Sequence, residues 1–275
     1  MEFYMKILVL SDVHANNYAL DAIWQKEKTA DIVVFSGDLV DYGPFPVEAI
    51  RWCREHDALC VMGNHDERLI NYHAECGDKL DEVPSNEYGW IHDNLRYVSG
   101  DDLAYIGAFP RVLSFEADGY RYLVAHYYTP ELDAPECVEH FDDFCAKNPI
   151  GNTSLPTRLI FGHSHRQFVN HLRGGRVVIN PGSVSYRRED EFEKAALYAV
   201  IEDGEIELRA VEYDRTPLLE YTLDMAKSGR MDQSEARVAF FFFGSCTEPY
   251  VDKDVSDCIP AAEEDIRKAR EGAKN

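Results

Sequence analysis

The chain has no apolar run approaching the roughly 20 residues needed to span a bilayer, so no membrane association is expected. It is poor in basic residues: 28 Lys+Arg stand against 50 Asp+Glu, a formal net charge of -22. Such a surface repels a phosphate backbone, which argues against long nucleic acid as a partner but leaves room for a small phosphorylated substrate reaching a bound metal. Met1-Glu2-Phe3-Tyr4 leads straight into an apolar segment with no basic region and no small-residue cleavage site, so no secretory signal is expected. The seven cysteines (Cys53, Cys60, Cys76, Cys137, Cys145, Cys246, Cys258) are scattered and form no C-x-x-C pair. That spacing excludes a zinc knuckle and offers no disulfide framework; reduced thiols in a cytoplasmic protein are the expectation. With 45% hydrophobic residues over 275 positions, a sizeable packed core is within reach.

Residues 6–10 form a short continuous apolar run suited to a buried strand, and residues 16–28 follow with helical apolar spacing through Leu20, Ile23 and Trp24. Residues 31–35, 44–55 and 58–62 repeat strand, helix and strand. This β-α-β-α-β order predicts a parallel sheet. Residues 71–110 read as weakly helical, best over 86–95. Beyond them the pattern changes to strands at 111–116 and 120–126 about Asp118-Gly119, and at 194–202 and 205–213 about Asp203-Gly204, both hairpin signals. Shorter strands are expected at 159–161, 167–172 and 177–179. The second half should therefore be mostly antiparallel, and the whole two packed sheets with helices outside. After residue 213 the strands stop; 217–227 and 261–273 read as helices around the apolar run 238–243, so 1–214 is taken as the main domain and 215–275 as a C-terminal extension.

Each early strand runs directly into polar residues: Ser11-Asp12-Val13-His14, Ser36-Gly37-Asp38 and Gly63-Asn64-His65-Asp66. In open α/β sheets the functional crevice lies beyond the carboxyl ends of the strands, so these turns should converge. Asp12 and His14 sit one residue apart in a segment read as extended, which would point both side chains one way; a carboxylate beside an imidazole suits a borderline divalent cation. Taken singly, each of these residues is as well explained by a turn, a helix cap or a packed histidine. His126 at the end of a later strand and His163 and His165 after another complete the set. Seven Asp, Asn and His residues at five strand ends point instead to a metal site.

Asp12-x-His14, Gly37-Asp38-x-x-Asp41, Gly63-Asn64-His65-Asp66, His126 and Gly162-His163-x-His165 resemble, in order and context, the calcineurin-like metallophosphoesterases, over roughly residues 5–213. Ser11-Asp12-Val13-His14-Ala15-Asn16 and Asn180-Pro181-Gly182-Ser183-Val184 resemble their small bacterial and archaeal phosphodiesterase branch. The resemblance implies a four-layer α/β/β/α sandwich of two mixed sheets flanked by helices, with the helical C-terminal extension added. It implies two divalent transition-metal ions, one held by Asp12, His14, Asp38 and His165, the other by Asp38, Asn64, His126 and His163, with Asp38 bridging. Two such cations about 3.5–4 Å apart can hold a bridging hydroxide and offset charge during in-line displacement on phosphorus. The imidazole-rich set favours Mn, Fe, Ni, Co or Zn over Mg or Ca, with manganese the expectation. His65 is left to stabilise or protonate the leaving-group oxygen, oriented by Asp41 or, as the rival, by Asp66, whose other use is to cap a helix starting at Glu67.

Protein phosphatases of this superfamily carry an arginine straight after the second aspartate, where this chain has Tyr42. Tyr127-Tyr128 follows His126 where relatives carry a small residue; the rings could narrow the pocket, stack on a base, or pack against Trp90 or the extension. Arg187 and Arg188 could offer charge to a phosphate or pair with Glu189, Asp190 and Glu191. The expected function is hydrolysis of small phosphodiesters or nucleotides. A protein phosphatase, or a non-catalytic interaction module such as the retromer subunit that lacks the catalytic histidine, are the alternatives; the complete set of site residues argues against the module. The run Phe240-Phe241-Phe242-Phe243 must be buried against the core, over the pocket or in a homodimer.

Overall fold

The computed structural model describes residues 5–82, 89–129, 131–185, 188, 194–246 and 254–272. The opening β-α-β-α-β unit is β1 (Lys6–Leu10), α1 (Asn17–Glu27), β2 (Ile32–Phe35), α2 (Pro46–Glu55) and β3 (Leu59–Cys60). The three strands pair in parallel, with Ile7 opposite Ile32 and Val34 opposite Leu59. Asn16 caps α1 by accepting from the Ala19 N–H at 3.1 Å, and Pro46, which has no N–H to leave unpaired, opens α2. The third strand is shorter than its apolar run. Beyond it, α3 (Asn64–Cys76) begins three residues ahead of the expected Glu67, because the Asp66 carboxylate reaches back to the Gly63 N–H at 3.0 Å. A 3-10 segment (Gly77–Glu82), α4 (Gly89–Leu95) and α5 (Gly100–Gly107) follow. The first residues of the helix expected over 86–95 lie outside the described residues.

The later strands are β4 (Val112–Ala117), β5 (Tyr120–Ala125), β6 (Thr157–Ile160), β7 (Phe168–Leu172), β8 (Arg176–Asn180), β9 (Ala195–Glu202) and β10 (Glu205–Glu212), with α6 (Val138–Lys147) between β5 and β6. Most of their pairings are antiparallel, as expected, but two are parallel. Two five-stranded sheets have the orders β10-β9-β1-β2-β3 and β4-β5-β6-β8-β7. The crossover through α6 returns the chain so that β6 lies parallel to β5, and β8 is parallel to β6 in turn. The expected hairpins β4–β5 and β9–β10 are present, but the second adds to the first sheet, antiparallel to β1. Turn residues mark hairpins in a sequence; nothing local tells which sheet a hairpin joins.

Side-chain alternation assembles the layers. Ile7 and Val9 of β1 meet Tyr122 and Val124 of β5 between the sheets, while Leu8 and Leu10 face the α1, α2 and α3 side with Ile23, Ile50 and Leu69. Leu123 and Ala125 turn the other way, under Phe141 and Phe144 of α6. The result is the α/β/β/α sandwich of two mixed sheets.

Three helices follow the last strand: α7 (Thr216–Ser228), α8 (Gln233–Phe242) and α9 (Cys258–Gly272). The apolar run is the end of α8, and Phe240, Phe241, Phe242 and Phe243 are all buried within the chain, clustered with Trp90, Leu218, Leu219 and Ile266. The run therefore needs no second subunit to cover it. Arg237, itself 1% exposed, pairs with Asp257 at 2.6 Å and ties α8 to the turn before α9. The expectation of reduced thiols is overturned at one pair: Cys246 and Cys258, with Cα atoms 5.2 Å apart, form a disulfide. Their separation of 12 residues carries no motif; the return of α9 against α8 brings them together. Among the described residues no helix is long and apolar enough to cross a membrane.

Glu27 ends α1 against the first sheet. Its carboxylate accepts from Tyr198 at 2.8 Å and Arg209 at 2.7 Å and lies 2.7 Å from the Lys6 ammonium. Burial works against this charge, but Lys6, Arg209 and Tyr198 together hold the carboxyl below its ordinary value. Stabilisation from such a group is present above the unfolded value and lost as pH falls. Glu27→Gln is expected to cost about 2 kcal/mol in urea unfolding at pH 7. The gap to wild type should narrow as pH drops below about 4.3.

Candidate metal centre

The turns after β1, β2 and β6 are unusual in backbone. Asp12, His14, Ala15, Asp38, Asp41, Tyr42, His163 and His165 all have φ between 47° and 75°. Residues other than glycine seldom occupy this left-handed region. Asp12 and His14 therefore do not project from an extended strand, as their spacing suggested. The chain coils tightly there, held by N–H bonds from Asp12 to the Gly37 carbonyl at 2.9 Å and from Val13 to the Asp38 carbonyl at 2.9 Å. Two glycines permit the approach. At Gly37, with φ +101°, a Cβ would stand 2.4 Å from His126 Nδ1, and at Gly162 it would stand 2.0 Å from Ser11 Oγ.

These turns gather two groups of donors, Asp12 with His14 and His165, and Asp38 with His126 and His163. Within each group the ligand atoms lie within 4.8 Å of one another. Asn64 joins the second group: its Oδ1 is 3.0 Å from His126 Nε2 and 2.9 Å from His163 Nδ1. Asn64 and His65 are in the first turn of α3 rather than at a strand end. His126 is fixed from behind, its Nδ1 2.8 Å from the Ser36 carbonyl, and His14 similarly by the Val40 carbonyl at 3.3 Å. Asp12 is completely buried and neither of its oxygens accepts a hydrogen bond, although His165 Nε2 stands 3.0 Å from Oδ1. The buried Nε2 of His14 has no hydrogen-bond partner either. A buried carboxylate with one imidazole beside it is still costly, and a cation among these donors would satisfy it. The donor set thus fits divalent metal.

Carboxylates and imidazoles share the charge of the site unequally. Burial alone would strip the proton from His126, yet the adjoining Asp38 raises its imidazole to about 9, and burial of Asp38 is outweighed by His126 and His65, which hold its carboxyl well below the usual range. Burial, reinforced by His65, pushes His14 down to about 4, leaving it neutral as a ligand must be. His65 Nδ1 lies 2.5 Å from Asp41 Oδ2, so of the two rivals Asp41 stands behind His65. Asp66 has a different task, accepting from the Asp38 N–H at 3.0 Å, Leu39 at 2.8 Å, Val40 at 3.3 Å and Gly63 at 3.0 Å.

All nine residues singled out in the sequence lie in this one place. Around them, Arg68 carries no sequence signal, while Tyr127, Tyr128 and Arg188 are residues whose use the sequence leaves open. Arg68, one turn along α3, is 3.4 Å from Asp41 Oδ2. Tyr127 packs its ring 5.7 Å from His126 and 5.2 Å from His163, and Tyr128 lies over His140 and donates to Asp143, so neither tyrosine packs on Trp90 or the last helices. Arg188 donates to the Ser164 carbonyl at 2.6 Å, between the two histidines. Arg187 and Glu189, Asp190 and Glu191 lie outside the described residues.

The family model for calcineurin-like phosphoesterases matches residues 5–167, which contain every one of these candidate ligands. The chain belongs to this family. It is a metal-dependent phosphoesterase, a hydrolase of ester bonds. An uncharacterised protein of Methanocaldococcus jannaschii is 30% identical over 230 residues, 76% of this chain and 88% of that protein. Among solved structures, a metallophosphoesterase from Sphaerobacter thermophilus superposes with a TM-score of 0.61 at 22% identity, covering 86% of this chain and 99% of that one. A hypothetical protein of Pyrococcus horikoshii OT3 superposes with a TM-score of 0.67 at 15% identity, covering 86% and 97%. Both share the fold of this phosphoesterase.

Because Asp66 satisfies four backbone N–H groups around Asp38, its removal should loosen the whole turn. Asp66→Ala is expected to lower stability by at least about 3 kcal/mol, since several buried donors lose their acceptor at once. Thermal unfolding of the metal-stripped protein checks this; a loss near zero would mean that the turn is held by other contacts.

Proposed function

We propose that this phosphoesterase uses two divalent cations to hydrolyse small phosphodiesters or nucleotides. The observation that carries the reading is the pair of donor groups, Asp12–His14–His165 and Asp38–Asn64–His126–His163, whose buried Asp12 oxygens and His14 Nε2 lack any hydrogen bond. Imidazole and carboxylate together suit manganese, with Fe, Co, Ni and Zn as the competing ions. When bound, two such cations neutralise phosphate oxygens and make a nucleophile of water at neutral pH.

The chain's own residues do the rest. Asp38 faces two imidazoles, with His65 Nε2 3.9 Å and His126 Nε2 3.1 Å from its Oδ2. His65 is buried, which disfavours its charged form, but Asp38 and the bond to Asp41 raise its proton affinity above the ordinary value. With Nδ1 committed to Asp41, the Nε2 proton is the one offered to the leaving-group oxygen. Tyr42, not a cation, follows Asp41, which favours singly charged diesters over a doubly charged phosphoprotein. Beside His126 a cavity of about 350 Å³ is lined by Met62, Phe144, Tyr127 and Tyr128, with Arg111 and Lys147 also in its lining. Apolar and ring surfaces bordered by cations suit the base and phosphates of a nucleotide.

With manganese added, the protein is expected to hydrolyse an activated aryl phosphodiester. Asp38→Asn should abolish turnover, and His65→Ala should lower kcat by about 10²–10⁴. Inactivity of wild type with each of Mn, Fe, Co, Ni and Zn across aryl monoesters, aryl diesters, cyclic nucleotides and dinucleoside polyphosphates would defeat the reading. Tyr127→Ala is expected to raise KM for a nucleotide substrate about tenfold while leaving the aryl diester unchanged, the loss of one stacked ring. Steady-state kinetics on the two substrates makes the comparison.

A further inference from the structure

We propose that Phe242, near the end of α8, is a positioning residue for the metal centre, and that the C-terminal helices are thereby a working part of the site. The inference rests on the reading of the two donor groups given above, and goes beyond it.

The two histidines that anchor the groups are held differently. His126 has its Nδ1 2.8 Å from the Ser36 carbonyl, and its Nε2 is flanked by Asn64 Oδ1 at 3.0 Å and Asp38 Oδ2 at 3.1 Å. Polar contacts on both nitrogens define that ring. His14 has one long polar contact, Nδ1 to the Val40 carbonyl at 3.3 Å, and an Nε2 with no partner. Its orientation is left to packing. Phe242 lies with its ring centroid 5.6 Å from His14 and 5.0 Å from Tyr42, and Tyr42 in turn is 5.5 Å from His14 and 4.9 Å from His65. Phe242 is 3% exposed, and its ring packs against both His14 and Tyr42, with His65 packing on His14 as well at 4.9 Å. Spacing of this kind, with tilted rings in contact, fixes an imidazole that hydrogen bonds do not. A smaller residue at position 242 would leave space into which the His14 ring can turn, moving Nε2 away from Asp12 and His165.

Equilibrium dialysis against manganese, counting ions per chain, reads this without any turnover. Wild type should bind two. Phe242→Ala should lose about tenfold or more in affinity for one of them, the same ion that His14→Ala loses, and keep the other. Phe242→Leu should fall between. Phe240→Ala removes an equal ring, also fully buried in α8, and should keep both ions at wild-type affinity although it is destabilised to a similar extent. Equal manganese affinities in Phe242→Ala and Phe240→Ala would overturn the proposal. If the alanine variants do not fold, the pair Phe242→Leu and Phe240→Leu is judged by the same criterion. Fewer than two ions in wild type, or wild-type binding in His14→Ala, would overturn the underlying reading of the donor groups instead, and the proposal with it.

Discussion

Two carboxylates, Asp12 and Asp38, are buried side by side where β1 and β2 end, and the surrounding structure is arranged to make that tolerable. Two unscreened like charges in a low-dielectric interior would cost several kcal/mol each. The chain answers with imidazoles: His126 is raised to about 9 beside Asp38, and His165 stands 3.0 Å from Asp12. Imidazolium at His126 supplies part of the positive charge that a divalent cation would supply more fully. Burial and the neighbouring Asp38 raise the third carboxyl, Asp66, to about 6, yet it accepts four backbone N–H groups around Asp38, which helps to carry its charge.

That constraint also explains the backbone. Ligands from β1, β2, β5, β6 and α3 can reach one point only if the turns between them are tighter than ordinary loops. Eight of the eleven non-glycine residues with positive φ among the described residues belong to these turns, and the other three, Asp57, Asp118 and Asp203, sit in turns elsewhere. Strain of this kind persists where the surroundings over-determine it, as the cross-turn N–H bonds from Asp12 through Ala15 to the 37–39 carbonyls do. The parallel arrangement of β1 and β2 matters here because it brings two strand ends, and hence two aspartates, to the same edge.

The part of this that a sequence can express is the part made of local pattern. Short apolar runs followed closely by Asp or His mark the ends of β1, β2, β5 and β6, though not of β3, and the order of those residues carries the family resemblance. Hairpins were legible in Asp118-Gly119 and Asp203-Gly204, but their assignment to different sheets depends on pairing between β9 and β1, distant in the chain. The early start of α3 was hidden because Asp66 acts backwards on Gly63 and sideways on the 38–40 turn, through space. The coil of Asp12 and His14 was hidden because left-handed backbone in a non-glycine residue is imposed by context. Cys246 and Cys258 carry no spacing signal, since it is the fold of α8 against α9 that makes them neighbours.

Tyr42 shows how the last helices and the first turns depend on one another. Its φ of 56° places a bulky residue in the left-handed region, a cost of about 1–2 kcal/mol that a glycine would avoid. A glycine there would leave His14, His65 and Phe242 without the ring that now packs on each of them at 5.5, 4.9 and 5.0 Å. Burying apolar ring area contributes about 1.5–3 kcal/mol when complete, comparable to that strain, but only if there is a surface to bury the ring against. Phe242 supplies part of that surface. The helices after β10 therefore do more than cover their own phenylalanines: through Phe242 they supply one of the rings against which the strained turn carrying Tyr42 packs, beside His14 and His65.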